Sequence, residues 1–186
     1  MDSEGALPGE RWFNGADPAL EWAEDRLLER LNIAEDRQGE LPIGETALGR
    51  GMNDAEIALL RRCLIQQRFH RGEYVFHGGD AGDGMYVATA GAVSIRLPKS
   101  DEGNAKRLVC LAPGVVFGEL AVPGGKPRST DATADEDAVV LKLTLEAFNR
   151  LEREHPVRFG KILLNLGQQL ADRLRAVTLD LRAAEQ

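Results

Sequence analysis

The sequence predicts a β-sandwich or jelly-roll barrel with helices at both ends, and three observations predict it. Between residues 68 and 143, short runs (Tyr74–Phe76, Met85-Tyr86-Val87, Val93-Ser94-Ile95, Arg107–Leu111 and 139–143) are separated by Gly, Asp and Pro turns. That rhythm belongs to an all-β unit. On either side of it, apolar residues recur at three- and four-residue steps, the mark of amphipathic helices. The 186 residues, 43% apolar and 28% charged, suffice for one core with terminal extensions.

Taken in order, residues 1–15 are rich in Gly and acids and are expected to be a flexible N-terminus. Asp17-Pro18 reads as an N-cap with proline in the first helical turn. The helix behind it runs to about Ile33, with Leu20, Ala23, Leu27 and Leu31 on one stripe and Trp22 and Ile33 opposite. Residues 34–51 read as a linker, so 16–52 form an N-terminal helix and linker ahead of a domain over 53–186. Asn53 or Asp54 caps a second helix, whose Ile57, Leu60 and Leu64 share a face. After the strands, Thr144 opens a short helix through Leu151, and His155-Pro156 breaks the chain. A long helix over 157–184 follows, with Leu163, Leu166, Leu170, Leu174, Val177 and Leu181 at helical steps. That stripe reads first as core packing, and its near-heptad spacing also allows a dimer seam.

Charge and composition exclude several classes. The net charge of −7 lies wholly in residues 1–50, with 12 acids and 5 bases, while the rest carries 18 of each sign. No basic face suited to duplex DNA stands out, and the overall acidity opposes nonspecific nucleic-acid binding. No apolar run approaches the roughly 18 residues of a membrane span, so no membrane insertion is expected. The acidic N-terminus is unlike a secretory signal, which points to a cytoplasmic protein with Cys63 and Cys110 reduced. His70, His77 and His155 form no His-x-His pair, and neither a Ser-His-Asp order nor a phosphate-loop Gly-Lys-Ser/Thr occurs. No catalytic residues, no metal and no cofactor are therefore expected.

The chemistry is concentrated in Phe117-Gly118-Glu119-Leu120-Ala121, followed by Pro127-Arg128-Ser129-Thr130. A phosphodiester needs backbone N–H donors at the start of a helical turn and a fixed cation. Gly118 lets the backbone approach a ligand, Glu119, Leu120 and Ala121 present the first amides of a short helix, and Arg128 offers a planar fork. A carboxylate beside an anion is repelled unless it accepts a hydrogen bond from a neighbouring hydroxyl. A ribose 2′-OH next to a cyclic phosphate meets Glu119 on those terms.

These residues resemble the cyclic-nucleotide-binding domains of catabolite activator protein, kinase regulatory subunits and gated channels. The likeness runs through Arg71-Gly72-Glu73-Tyr74-Val75-Phe76, Gly79-Asp80-Ala81-Gly82-Asp83-Gly84-Met85-Tyr86-Val87, Gly91-Ala92-Val93, Leu111-Ala112-Pro113-Gly114 and the cassette from Phe117 to Arg128, covering roughly 54–184. It implies an eight-stranded jelly-roll β-barrel with an N-terminal helix and a C-terminal lid and dimerisation helix, and Gly72, Gly79, Gly82 and Gly91 at its turns. It implies a cyclic nucleotide as ligand. Glu119 takes the ribose 2′-hydroxyl, Arg128 the phosphate, and the amides of Gly118, Leu120, Ala121 and Ser129 complete the cradle. Leu170, Arg173, Leu174 or Val177 cover the base. Ser129 after the arginine favours cAMP over cGMP. Three positions depart from the family: Thr130 replaces its usual alanine, Asp131 stands where threonine or serine is common, and Ala132 where a bulkier aliphatic is frequent. A buried Asp131 carboxylate near the phosphate opposes binding.

A second resemblance, over 12–36, is to the last helix of a STAS domain, which precedes cyclic-nucleotide modules in some sulfate-type transporters and glutaminases. It implies a covalently linked or separate effector domain. Homodimerisation through the C-terminal helix is the other expected partnership, and no DNA partner is expected. Two alternatives stay open: a structural or protein-interaction domain of the same fold with a degenerate pocket, and a truncated catabolite-activator-type transcription regulator. A cupin-like metalloenzyme ranks last.

Overall fold

A computed structural model describes residues 39–98 and 107–184. The flexible terminus over 1–15, the helix to about Ile33 and its STAS-like register lie outside the described residues. The segment 39–52, read from sequence as linker, packs against the domain. Leu41, Ile43, Thr46 and Leu48 are buried around a 3-10 turn at Ile43–Glu45, and Ala47 N donates to Gly114 O at 2.8 Å. The compact unit thus begins at Gly39. Apolar residues spaced by two and five positions carry neither the helical nor the strand period.

Helix α1 (Asp54–Cys63) starts at Asn53 with a capping box, Asn53 Oδ1 accepting from Glu56 N at 3.0 Å and Glu56 Oε2 from Asn53 N at 2.9 Å. It ends one residue before Leu64, which opens a strand. Eight strands follow: β1 (Leu64–Phe69), β2 (Tyr74–Phe76), β3 (Gly84–Ala90), β4 (Val93–Arg96), β5 (Arg107–Leu111), β6 (Val116–Phe117), β7 (Asp131–Ala134) and β8 (Ala138–Thr144).

They do not close into the barrel that the sequence leads one to expect. They form two four-stranded antiparallel sheets, in the orders β1-β8-β3-β6 and β2-β7-β4-β5. Alternate residues of β3 explain the layering. Tyr86 and Ala88, with Phe117 and Val140 of the same sheet, face Phe76, Val93, Leu111, Ala132 and Ala134 of the second sheet, and together they form one core. Met85 and Val87 face the helices, where Ile43, Leu48, Leu60, Leu141, Leu143, Leu151, Phe159, Ile162 and Leu166 form another. With both faces covered, β3 reads as an unbroken buried run from Gly84 to Thr89.

Helix α2 (Leu145–Glu154) is capped by Thr144, whose hydroxyl accepts from Ala147 N at 3.1 Å. His155 ends it, and helix α3 (Pro156–Ala184) begins at the proline. Phe159, Ile162 and Leu166 bury the first half of α3. Leu163, Leu170, Leu174 and Val177 are exposed on another face. No described helix is long and apolar enough to cross a membrane.

Candidate functional site

Strand β6 delivers the chain to Gly118, which sits at φ 72°, ψ 4°, the left-handed region that favours glycine. A Cβ there would lie 2.8 Å from Arg128 Nη1 and 3.2 Å from Phe76 Cε1, so backbone and guanidinium meet only because the side chain is absent. The 3-10 turn Glu119–Ala121 follows. Its first internal amide donor is Val122 N, to Glu119 O at 3.1 Å, so the amides of Glu119, Leu120 and Ala121 precede the ladder.

Arg128 is drawn inward, with a side chain only 1% exposed. Its backbone is fixed by the loop after β2: Arg128 N donates to Asp80 O and Gly79 N to Arg128 O, both at 2.8 Å. Gly82 of the same loop presses on the cassette, a Cβ on it falling 2.5 Å from Lys126 O and 2.6 Å from Ala121 Cβ. The guanidinium lies over the Phe76 ring at 4.5 Å and near Tyr86 at 5.3 Å; Tyr86 in turn stacks on Phe117, and Phe76 lies tilted against it. Nη1 donates to Gly118 O at 2.7 Å and Nη2 to Asp83 Oδ1 at 2.9 Å. Nε is buried without a hydrogen-bond partner among the described residues. Burial alone would push the Asp83 carboxyl up, but hydrogen bonds and charge from Lys142 and Arg128 hold it below its ordinary value.

Glu119 is 6% exposed and is reached from α3, where Arg173 Nη1 donates to Glu119 Oε1 at 3.0 Å. Four residues earlier on that helix, Gln169 Oε1 accepts from Val116 N at 2.8 Å and Gln169 Nε2 donates to Val116 O at 2.9 Å. Arg173 Nη2 also donates to Val116 O. Helix α3 thus touches the cassette through polar groups, while Leu174 and Val177 point outward at 69% and 54% exposure and Leu170 at 37%.

The structure therefore brings two bonded pairs together at consecutive residues of the turn, Arg128 with Gly118 and Arg173 with Glu119. Ala121 is buried under it, Leu120 is 66% exposed, Ser129 is exposed and Thr130 half-buried. Arg173 meets the Glu119 carboxylate. Asp131 Oδ1 accepts from Gly78 N at 2.7 Å and lies 3.9 Å from His77 Nδ1, and strand alternation puts it opposite Ala132, which enters the core. Sequence reasoning gave no role to Asp83, Lys142 or Gln169. Asp83 stood in a quoted Gly-Asp motif, and Lys142 interrupts the apolar run of β8; Gln169 carried no signal. Among the described residues no group of three or more His, Cys, Asp or Glu could hold a metal ion.

Residues 66–155 match the family model of the cyclic nucleotide-binding domain. The chain is similar to glutaminase 1 of Bradyrhizobium diazoefficiens, 33% identical over 168 residues, which covers 90% of this chain and 26% of that protein. It is similar to the cyclic AMP receptor protein of Thermus thermophilus, 33% identical over 132 residues, 70% of this chain and 58% of that protein. It thus spans about a quarter of the one relative and just over half of the other. Among solved structures, the catabolite activator protein of Thermus thermophilus superimposes with a TM-score of 0.64 at 29% identity, covering 75% of this chain and 63% of that one. With the turn, the buried arginine and the two-sheet fold in agreement, the chain belongs, through residues 66–155, to the cyclic-nucleotide-binding domain family of the catabolite-activator and kinase-regulatory type.

Proposed function

We propose that this domain is a sensor that binds a cyclic nucleotide, cAMP ahead of cGMP, and signals through the position of α3. The observation that carries the reading is Arg128. Its guanidinium is buried beside Gly118, with Nε unpartnered among the described residues, next to a turn whose first amides precede the ladder. A cyclic phosphate seated there meets a planar cation and amide donors in a low-dielectric setting. Glu119 exchanges the bond it accepts from Arg173 for one from the ribose 2′-hydroxyl, which couples ligand to helix. Nucleotide then shifts α3 between two positions by as much as its affinities for them differ. The cyclic AMP receptor likeness supports cAMP, as does Ser129 after the arginine.

The glutaminase likeness runs over 90% of the chain, and so extends into the segment before Gly39. It supports a glutaminase-type catalytic domain as the effector, linked or separate, with this domain regulatory and not itself catalytic. The exposed residues Leu163, Leu170, Leu174 and Val177 of α3 support a homodimer seam.

Calorimetric titration with cAMP, cGMP and cyclic dinucleotides tests the reading. The parent binds cAMP most tightly, and Arg128→Ala and Glu119→Ala lose at least about tenfold, the scale of one charge-assisted bond. Variants that bind as well as the parent refute the site. Silence towards every nucleotide favours an interaction domain with a degenerate pocket, and a gel shift with duplex DNA favours the transcription-regulator alternative.

A further inference from the structure

Lys142 stands where the fold calls for an apolar side chain. On the inter-sheet face of β8, Ala138 and Val140 are 3% and 0% exposed, and Lys142 continues that alternation directly opposite Tyr86 of β3. Its side chain is 15% exposed and its ammonium lies 5.4 Å from the Tyr86 ring centroid. It donates to Asp83 Oδ2, while Asp83 Oδ1 holds Arg128 Nη2 at 2.9 Å. One carboxylate is thus divided between two cations, and the three side chains in a row carry one net positive charge.

We propose that Lys142 is a positioning residue for the anion site: by gripping Asp83 it keeps Arg128 aimed at the Gly118 turn and leaves the guanidinium's charge available to a bound phosphate. The inference rests on the reading of that turn as a phosphate site. A guanidinium alone with a carboxylate is a neutral pair, and an incoming phosphate meets the carboxylate's repulsion together with the cation's attraction. A second cation on the far oxygen offsets that repulsion. It also anchors Asp83 when Arg128 turns from it towards the ligand. Burial of Arg128 and Lys142 beside Tyr86 strengthens their side of these interactions relative to water, while the half-exposed Asp83 carboxylate stays partly screened. The residue has no other evident use, since a methionine or leucine would fill the same space on the strand without the burden of burying a charge.

The test uses the full chain. Lys142→Met keeps the length of the stem and removes the charge, and Lys142→Arg keeps the charge. In cAMP titrations at low salt, Lys142→Met weakens binding about tenfold, as expected for one charge acting across a partly buried site. Lys142→Arg restores binding to within about twofold of the parent, and placing Lys142→Met in an Asp83→Asn background shrinks its effect to less than about threefold. A lysine that only supports the strand lowers the melting temperature and leaves affinity alone, or weakens it equally in both backgrounds. Unchanged affinity in folded Lys142→Met overturns the proposal, and so does a loss of equal size in Asp83→Asn. A parent that binds neither cAMP nor cGMP overturns the phosphate-site reading instead. The positioning claim is then decided in ligand-free protein by nuclear magnetic resonance of the Asp83 carboxyl and the Arg128 Nε–H. Both signals shift in Lys142→Met and stay in place in Lys142→Arg; no shift in the former overturns it.

Discussion

At the scale of single residues, the site is governed by what Gly118 lacks and what Arg128 is denied. Gly118→Ala places a methyl group 2.8 Å from Arg128 Nη1 on a backbone at φ 72°. Such strain costs about 1–3 kcal/mol, so urea denaturation midpoints fall, and the displaced guanidinium weakens nucleotide binding as well. Asp131 behaves differently. Its carboxylate accepts from Gly78 N and not from the arginine, so Asp131→Ala destabilises the fold by about 1 kcal/mol and leaves cAMP affinity as it was. A variant that binds markedly tighter would restore the opposing role that its place in the sequence implies. The cassette was legible because Gly, Glu and Arg at this spacing have few other uses. The partners of Arg128 were not, because Asp83 lies 45 residues away and only the pairing of the loop with the cassette brings it close.

At the scale of elements, α3 is held by two unlike grips. Its first half is buried through Phe159, Ile162 and Leu166, whereas farther on Gln169 and Arg173 hold it by hydrogen bonds to β6 and Glu119. Gln169→Ala strips the side-chain acceptor from Val116 N and leaves Val116 O to Arg173 alone, and leaving a buried donor unpaired costs about 1–3 kcal/mol. Hydrogen exchange should read this locally: the Val116 amide loses protection while amides of β8 keep theirs, and equal loosening of both would mean that the clamp serves global stability. The elements legible from sequence were those with a short apolar run bounded by turn residues, such as β2, β3 and β8. The chain Leu64–Phe69 was read partly as the end of α1, since Leu64 continues that helix's stripe and Gln66-Gln67 interrupt any alternation. Strand β7, Asp131–Ala134, has too little apolar surface to announce itself and is a strand because β2 and β4 pair with it on both sides.

At the scale of the whole molecule, acid should weaken the fold through its paired carboxylates. Hydrogen bonds from Lys161 and from the Asn53 backbone hold Glu56 below its ordinary 4.5, and the backbone of Arg71 does the same for Asp137 against its 3.8. Asp83 is lowered as described. For each, the unfolded chain binds the proton more readily, so the stabilisation is present above the ordinary carboxylate values and is lost as pH falls through the folded ones. Urea midpoints therefore drop on acidification below those values, and the drop is shallower in Asp83→Asn. Lys142 acts at the other end. Burial would lower it, but Asp83 and Tyr86 raise it above 10.5, so its contribution persists through neutral pH and fades only in strong alkali. The proposed homodimer seam on α3 belongs to this scale too: Leu174→Lys is expected to shift a parent dimer to monomer on size-exclusion chromatography, and a parent that elutes as a monomer at every concentration refutes the seam. The overall architecture was legible as two helical ends around a β region. Closure was not, because a barrel and a sandwich ask for the same alternation along each strand and differ only in which edges pair.

Strand β6 is only two residues long and stands at the rim of its sheet, with the peptide of Val116 facing the side chain of Gln169. An amide side chain there does the work of a missing ninth strand. Whenever the helix lifts, that rim becomes an open template, and any extended segment able to offer one donor and one acceptor can take the vacated place. In the proposed mechanism, the movement that reports the ligand thus also decides whether the sheet ends in the protein's own helix or in something else.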